Sequence, residues 1–212
     1  MSSSKKGYWI NHVIDIKDPD RFNAYAEASM PMFQGDNQYG AKILLFGPVA
    51  KTILGDAVQY AAVAEFNNVQ ASIEFWDDPD YAAARSIMGP LNDESAVVDR
   101  RVCCIEGEPL IVSQDQSFWL NHVHKIIDDS AFWRYAESSM QHFTSTTFGK
   151  VVHQHAGAQN IQLAAALGFD NTSKAMNIYH SPEYGVALAA GGMKDNENHV
   201  VQRTICAIEG SQ

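Results

Sequence analysis

Residues 8–33 read YWINHVIDIKDPDRFNAYAEASMPMF, and residues 118–143 read FWLNHVHKIIDDSAFWRYAESSMQHF. The two stretches align without a gap and agree at 13 of 26 positions. The chain repeats itself again further on: VVDRRVCCIEG at 97–107 matches VVQRTICAIEG at 200–210, with 7 of 11 residues identical. The offset between copies is 110 at the start and 103 at the end, so about seven residues differ in the middle. A period this long is that of a small domain, not of a solenoid repeat. The chain reads as a covalent pseudo-dimer: a tail over 1–6, copy one over 7–108, a linker over 109–116 and copy two over 117–212. Each copy alone is near the size at which one core is only marginally sufficient, which favours halves that pack on each other.

Composition narrows the function classes. The 212 residues carry a net charge of −10, with 46% hydrophobic and 19% charged residues. That is an ordinary globular balance. Its acidity argues against nucleic acid, which is bound through clustered Lys and Arg. No apolar run approaches the roughly 18 residues of a membrane span. MSSSKK lacks the apolar stretch of a secretory signal and reads as a disordered tail. Cys103, Cys104 and Cys206 are odd in number and lack CxxC spacing, so neither a disulfide framework nor a zinc site is expected. They read as small buried hydrophobes in a reducing cytoplasm.

Within each copy the elements follow from local pattern. Residues 8–16 are β-branched and aromatic, as in a strand. Asp18-Pro19-Asp20 then opens a helix with Phe22, Tyr25, Ala26 and Ser29 on one stripe; Asp128-Asp129-Ser130 does the same before Phe132, Tyr135 and Ala136. A short strand is expected over Ala41–Phe46, with Lys150–His155 as its counterpart. A third follows over Gln59–Phe66 and Ile161–Phe169. A helix begins near Asn68 in copy one and spans about Thr172–Asn177 in copy two. Asp78-Pro79-Asp80-Tyr81 and Ser181-Pro182-Glu183-Tyr184 each start a further short helix, and Val97–Glu106 and Val200–Glu209 form the last strands. The order βαββαβ is the split βαβ plan of a ferredoxin-like α+β sandwich. Its sheet has helices on one face only. Two copies covering each other's open face would leave a natural pocket between the sheets.

On these residues each copy resembles the dimeric α+β barrel superfamily, and more narrowly the family catalogued as domain of unknown function thirteen-thirty. The resemblance rests on Gly7-Tyr8-Trp9-Ile10, Asp18-Pro19-Asp20-Arg21-Phe22, Tyr25, Gly40, Glu65-Phe66, Asp78-Pro79-Asp80-Tyr81 and Ile105-Glu106-Gly107. In copy two it rests on Phe118-Trp119, Asp128, Phe132, Tyr135, Gly149, Ser181-Pro182-Glu183-Tyr184 and Ile208-Glu209-Gly210. It implies an intramolecular barrel of two ferredoxin-like domains. The family's Arg-Gly-Gly after strand two is replaced by Phe46-Gly47-Pro48 and His155-Ala156-Gly157. Its Glu-Phe survives as Glu65-Phe66 but becomes Gly168-Phe169. The family's arginine in the second-helix region is missing from both copies. One extra residue near Ile14–Asp15 suggests a bulge in the first strand.

The chemistry-bearing candidates are histidines. His12 and His122 are repeat mates on the first strand of each copy. Side chains alternate along a strand, and in the pattern of the family it resembles Tyr8, Ile10 and His12 would face the open side of the sheet while Trp9, Asn11 and Val13 pack under the helices. Two imidazoles would then enter one cavity, with a pKa suited to acid/base catalysis near neutrality. His124, His153 and His155 would orient the substrate, and His122-Val123-His124 with His153-Gln154-His155 could offer imidazole ligands to a metal. Tyr8, Asn11, Asn121 and Tyr39 complete the candidate binding set, with Tyr39 and Phe148 at the pocket mouth. With the strand's parity reversed, Trp9/Asn11 and Trp119/Asn121 would line the pocket instead, a set resembling that of some cofactor-independent monooxygenases of the superfamily. The reading is a cofactor-free, metal-free enzyme of isomerase, cyclase or lyase type, acting on a small aromatic or polyketide-like substrate and able to form a homodimer. The alternatives are a non-catalytic small-molecule binder and a metal-dependent or oxygen-using enzyme.

Overall fold

The computed structural model describes residues 4–91, 95–113 and 115–210. Of the expected tail only residues 4–6 are described, and Lys6 already belongs to the first strand. Linker position 114 and the last two residues of copy two also lie outside the described residues. Copy one runs β1 (Lys6–Ile16), α1 (Pro19–Ser29), β2 (Lys42–Leu54), β3 (Tyr60–Phe66), α2 (Val69–Glu74), α3 (Pro79–Ser86) and β4 (Val98–Gly107). Copy two runs β5 (Ser117–Ile126), α4 (Asp129–Ser139), β6 (Ser145–Ala156), β7 (Leu163–Phe169), α5 (Thr172–Asn177), α6 (Pro182–Ala190) and β8 (Val201–Glu209). The helix starts are capped as their sequences suggest: Asp18 and Asp128 accept from the backbone N–H three residues on, at 3.1 and 2.9 Å.

The eight strands close into one antiparallel barrel in the order β1-β3-β2-β8-β5-β7-β6-β4. Closure depends on β2 and β6, which are longer than their sequences suggest. The first part of β2 pairs with β3 as far as Pro48; from Val49 onward it pairs with β8 of the other copy. Likewise β6 pairs with β7 up to Lys150 and with β4 from Val151. Gly47-Pro48 looks like a turn but is the point at which the strand changes sheets. A proline, which has no N–H to give, is tolerated at such a junction. The register also corrects the alignment of the copies. Phe148 and Gly149 stand where Phe46 and Gly47 stand, so His153 matches Lys51 and His155 matches Ile53, rather than Leu44 and Phe46. Residues 34–41, the segment carrying Tyr39 and Gly40, have no counterpart in copy two.

The face assignment of β1 holds. Tyr8 and Ile10 join Leu45, Val63, Ile105, Phe118, Leu120 and Ile208 in a cluster filling the barrel, while Trp9 packs outside it among Phe33, Phe66, Phe75, Trp76 and Tyr81. The bulge lies between Val13 and Asp15, and is repeated between Val123 and Lys125. The expectation of a pocket between the sheets is not met. An eight-stranded barrel is only just wide enough for its own side chains, and here they fill it.

One barrel end is sealed by a bond unique to copy one. Tyr8 Oη donates to Glu65 Oε2 at 3.0 Å and accepts from Leu110 N at 2.9 Å, and Lys42 pairs with Glu65 at 2.9 Å. In copy two Phe118 replaces Tyr8 and packs against Gly168, where even a Cβ would come within 3.0 Å of its ring. Tyr8→Phe leaves a buried N–H and a carboxylate oxygen without their partner, at a cost of about 1–3 kcal/mol. The expected result is a lower urea midpoint at unchanged m-value. An unaltered midpoint would show that Tyr8 contributes packing alone.

Candidate functional site

His12 and His122 meet, but in the packed interior. Both are fully buried, and their rings stack with centroids 3.8 Å apart at 23°. Each reaches across to the opposite copy. His122 Nε2 lies 3.2 Å from Ile10 O and 3.6 Å from Cys103 Sγ; His12 Nε2 lies 3.6 Å from Cys206 Sγ. Burial pushes the His12 pKa down to about 3, with help from the Arg101 guanidinium and His124; burial and His12 hold His122 well below its usual value. Both rings are neutral near pH 7. Neither is among the residues lining the pockets described below. Among the described residues, buried side chains fill the barrel interior around this pair, where a shared cavity was expected.

Of the other candidate histidines, His124 lies near this pair, whereas His153 and His155 do not converge on it. His124, the bulged residue of β5, bonds Thr204 Oγ1 at 3.0 Å. His155 lies outside the barrel wall, stacked on Trp76 at 4.2 Å and 6°, with His153 beside it at 4.6 Å. The His-x-His pairs are therefore on opposite sides of the wall. Among the described residues no group of three or more His, Cys, Asp or Glu side chains could hold a metal ion. Tyr8 seals a barrel end, and Tyr39 donates to Asp78 Oδ2 at 3.1 Å, holding the copy-one segment against the start of α3. Neither of these tyrosines lines the pockets beneath α1 and α4.

Of the expected binding set, Asn11 and Asn121 do line cavities. These lie between helix and sheet, on the outer face of the barrel. Beneath α4, Asn121, Phe132, Tyr135, Phe148, Leu163 and Arg203 bound a pocket of about 330 Å³. Trp133, Met140 and Phe148, all more than a third exposed, rim its mouth. Beneath α1 the equivalent space is only about 60 Å³. The tryptophans of the Trp/Asn set serve the scaffold: Trp9 Nε1 donates to Ser72 O at 2.8 Å and Trp119 Nε1 to Ala175 O at 2.5 Å, pinning α2 and α5 to the sheet.

The floor of the α4 pocket is polar and organised. Arg203, with 1% of its side chain exposed, forks onto Glu197 through Nε at 3.1 Å and Nη2 at 2.6 Å. Its Nη1 donates to Tyr135 Oη at 2.7 Å. Burial alone would lower the Arg203 pKa, but Tyr135 and Glu197 together outweigh it and hold the guanidinium charged. Tyr184 Oη lies 2.5 Å from Tyr135 Oη, and burial pushes its pKa well above the usual value. With Tyr184 donating, Tyr135 keeps its own proton for a ligand. Asn121 is 6% exposed and its Oδ1 is buried with no hydrogen-bond partner. A buried acceptor without a partner, on a residue at the wall of a pocket, can be met by a donor from a ligand.

Arg203 and Glu197 were not singled out in the sequence. Arg100 and Arg203 are among the residues the copies share on the last strand, at outward-facing positions between valines and isoleucines. A charged residue held in both copies within an apolar strand is the signal that marks them.

Residues 6–101 match the family described as "Domain of unknown function (DUF1330)". No curated protein matches the sequence. Among solved structures, the chain is similar to a "putative monooxygenase" of Fusobacterium nucleatum, with TM-score 0.57 and 9% identity over 100% of this chain and 94% of that one. It is similar to an anthrone oxidase-like protein, with TM-score 0.57 and 8% identity over 99% and 93%. It also resembles a chlorite dismutase variant of Candidatus Nitrospira defluvii, with TM-score 0.53 and 7% identity over 100% and 93%. At such identities the likeness is one of fold. Residues 6–101 thus form a domain of the DUF1330 family, within a chain folded as a dimeric α+β barrel.

Proposed function

We propose that the chain is a cofactor-independent enzyme that binds a small, largely apolar phenol or enol in the α4 pocket and stabilises its ionised form. One observation carries this reading: Asn121, whose Oδ1 is a buried acceptor without a partner, lines the same pocket as the Arg203-backed Tyr135. Asn121 Oδ1 accepts a hydrogen bond from the substrate hydroxyl and orients it, and on ionisation that proton leaves to water at the pocket mouth. Tyr135 donates to the developing oxyanion, and Arg203 behind it supplies fixed positive charge in a site of low dielectric. An enolate or phenolate so held can be reprotonated at another carbon, can attack an internal carbonyl, or can be oxidised by dioxygen. The first two outcomes are the isomerase and cyclase chemistry expected from the sequence. The monooxygenase-type reading is favoured by the likeness to a putative monooxygenase and an anthrone oxidase-like protein. In neither do His12 and His122 touch substrate; the pocket floor orients the hydroxyl and stabilises its anion, and water carries the proton.

The architecture behind this site is a duplication of two ferredoxin-like domains, over 7–108 and 117–212. The matching element order and the shared residues of the two copies support it. The three buried free thiols fit a reducing, cytoplasmic setting. No described helix is long and apolar enough to cross a membrane. The apolar mouth at Trp133, Met140 and Phe148 is the surface through which a homodimer would bury the site. A plain binding protein is the competing reading.

Titration with 2-naphthol tests the proposal. The bound phenol should ionise at lower pH than free 2-naphthol, as read by absorbance. Asn121→Ala and Tyr135→Phe should each weaken binding roughly tenfold, the worth of one hydrogen bond at the upper end of its range. Bound naphthol with an unshifted ionisation would leave a binder without catalytic polarisation. Unchanged affinity in both variants would place the ligand elsewhere.

A further inference from the structure

The copy-one pocket keeps every polar group of the α4 floor except those outside the described residues. Arg100 Nη1 donates to Tyr25 Oη at 3.2 Å, Tyr25 and Tyr81 hydroxyls lie 2.7 Å apart, and the buried Asn11 Oδ1 has no partner, as in copy two. The space these groups face is nonetheless about 60 Å³ against about 330 Å³. Position by position, the walls are nearly the same: Phe22 for Phe132, Ala26 for Ala136, Met30 for Met140, Phe46 for Phe148, Ala62 for Ala165. Ala64 is even smaller than its mate Leu167. Bulk is added at Tyr60, whose mate on β7 is Leu163, and at Ile43, whose mate is Thr146. Of the two, Tyr60 spans the gap. Its ring lies 5.9 Å from Phe22 on the helix and 6.3 Å from Phe46 on the strand. In copy two the pocket lies between the corresponding Phe132 and Phe148. A ring across a cleft removes more usable space than its own volume, because the slits on either side are too narrow for any atom.

We infer that copy one carries a second site for the same class of ligand, an apolar phenol or enol, held shut by the side chain of Tyr60. The inference rests on the reading of the α4 pocket for its ligand class, but not for its geometry. It makes the protein single-sited although it was built twice. The polar floor under α1 is retained because it ties α1, α3 and β4 together, while the binding space above it is plugged.

The test is binding stoichiometry with 2-naphthol by calorimetry. Wild-type protein should bind one equivalent and Tyr60→Ala two, the second within about tenfold of the first in affinity. The reciprocal variant Leu163→Tyr should close the α4 pocket and weaken wild-type binding at least tenfold. The double variant Tyr60→Ala/Leu163→Tyr should again bind one equivalent, now weakened roughly tenfold on adding Asn11→Ala. One equivalent in both wild type and Tyr60→Ala would overturn the inference and leave the α4 site standing. No binding to wild type with one equivalent in Tyr60→Ala would do the reverse. Should Tyr60→Ala fail to fold, undiminished binding by Leu163→Tyr would overturn the inference by itself, since a tyrosine there would not be a plug.

Discussion

Lowering the pH from 7.5 to 5 is expected to destabilise the protein by roughly 5 kcal/mol, because its buried histidines are folded only as neutral rings. The His12 and His155 pKa values are pushed down to about 3, chiefly by burial, and that of His122 is held well below normal. The unfolded chain binds these protons near pH 6.5, whereas the folded chain refuses them until far lower. Stability is therefore complete above 6.5 and lost as pH falls towards 3. Each fully buried histidine costs up to about 1.4 kcal/mol per pH unit within that window, with the partly exposed His155 contributing less. The groups facing the stacked pair sharpen the effect. Arg101 and His124 add positive charge, and Cys103 and Cys206 stay as thiols because burial raises their pKa values. A loss of this size rivals the whole stability of an ordinary domain. Urea unfolding at pH 7.5, 6 and 5 measures it. The double variant His12→Leu/His122→Leu should show a much flatter profile. Wild-type stability at pH 5 within 1 kcal/mol of its value at pH 7.5 would contradict the account.

Arg203→Leu should cost about 3–5 kcal/mol, the usual penalty for removing one partner of a buried ion pair. Glu197, with 12% of its side chain exposed, would lose a bidentate partner, and Tyr135 and Tyr184 would lose the cation behind them. For a chain of this length that is a fall in melting temperature of roughly 10 °C or more. Adding Glu197→Gln to Arg203→Leu should recover part of the loss, because the stranded carboxylate goes with it. A double variant as unstable as the two single effects added together would mean the pair is not coupled. The same Arg203→Leu variant should leave bound 2-naphthol ionising no more readily than the free phenol. That readout separates charge at the floor from mere loss of fold.

The alternation of the first strand was readable from Tyr8-Trp9-Ile10-Asn11-His12, because side-chain parity is a local property. So was the bulge at Ile14, from one extra residue against the pattern. The second strand was not. Gly47-Pro48 is turn chemistry, and only the demand that β2 bridge to β8 keeps the backbone extended through it. The location of the pocket was out of reach for a related reason. Whether an interior is hollow or filled depends on barrel width and the summed volume of residues such as Phe118, Leu120 and Ile105, which no single stretch encodes. Asn11 and Asn121, which line the two cavities, are legible from the repeated Asn-His-Val triplet, whereas Arg203 is less conspicuous than histidines that are wholly buried.

The hand-over of β2 and β6 from one sheet to the other has a kinetic consequence. Neither half can satisfy its backbone alone. A solitary first half would expose the far end of β2 and the outer edge of β4 as open templates for strand addition. Because the contacts that close the ring join residues as distant as Val49 and Ile208, closure depends on long-range pairing, which slows folding. During synthesis the first half must wait, edges bare, for β8 to emerge. Its safest interim partner is the first half of another nascent chain, so assembly and misassembly draw on the same two edges.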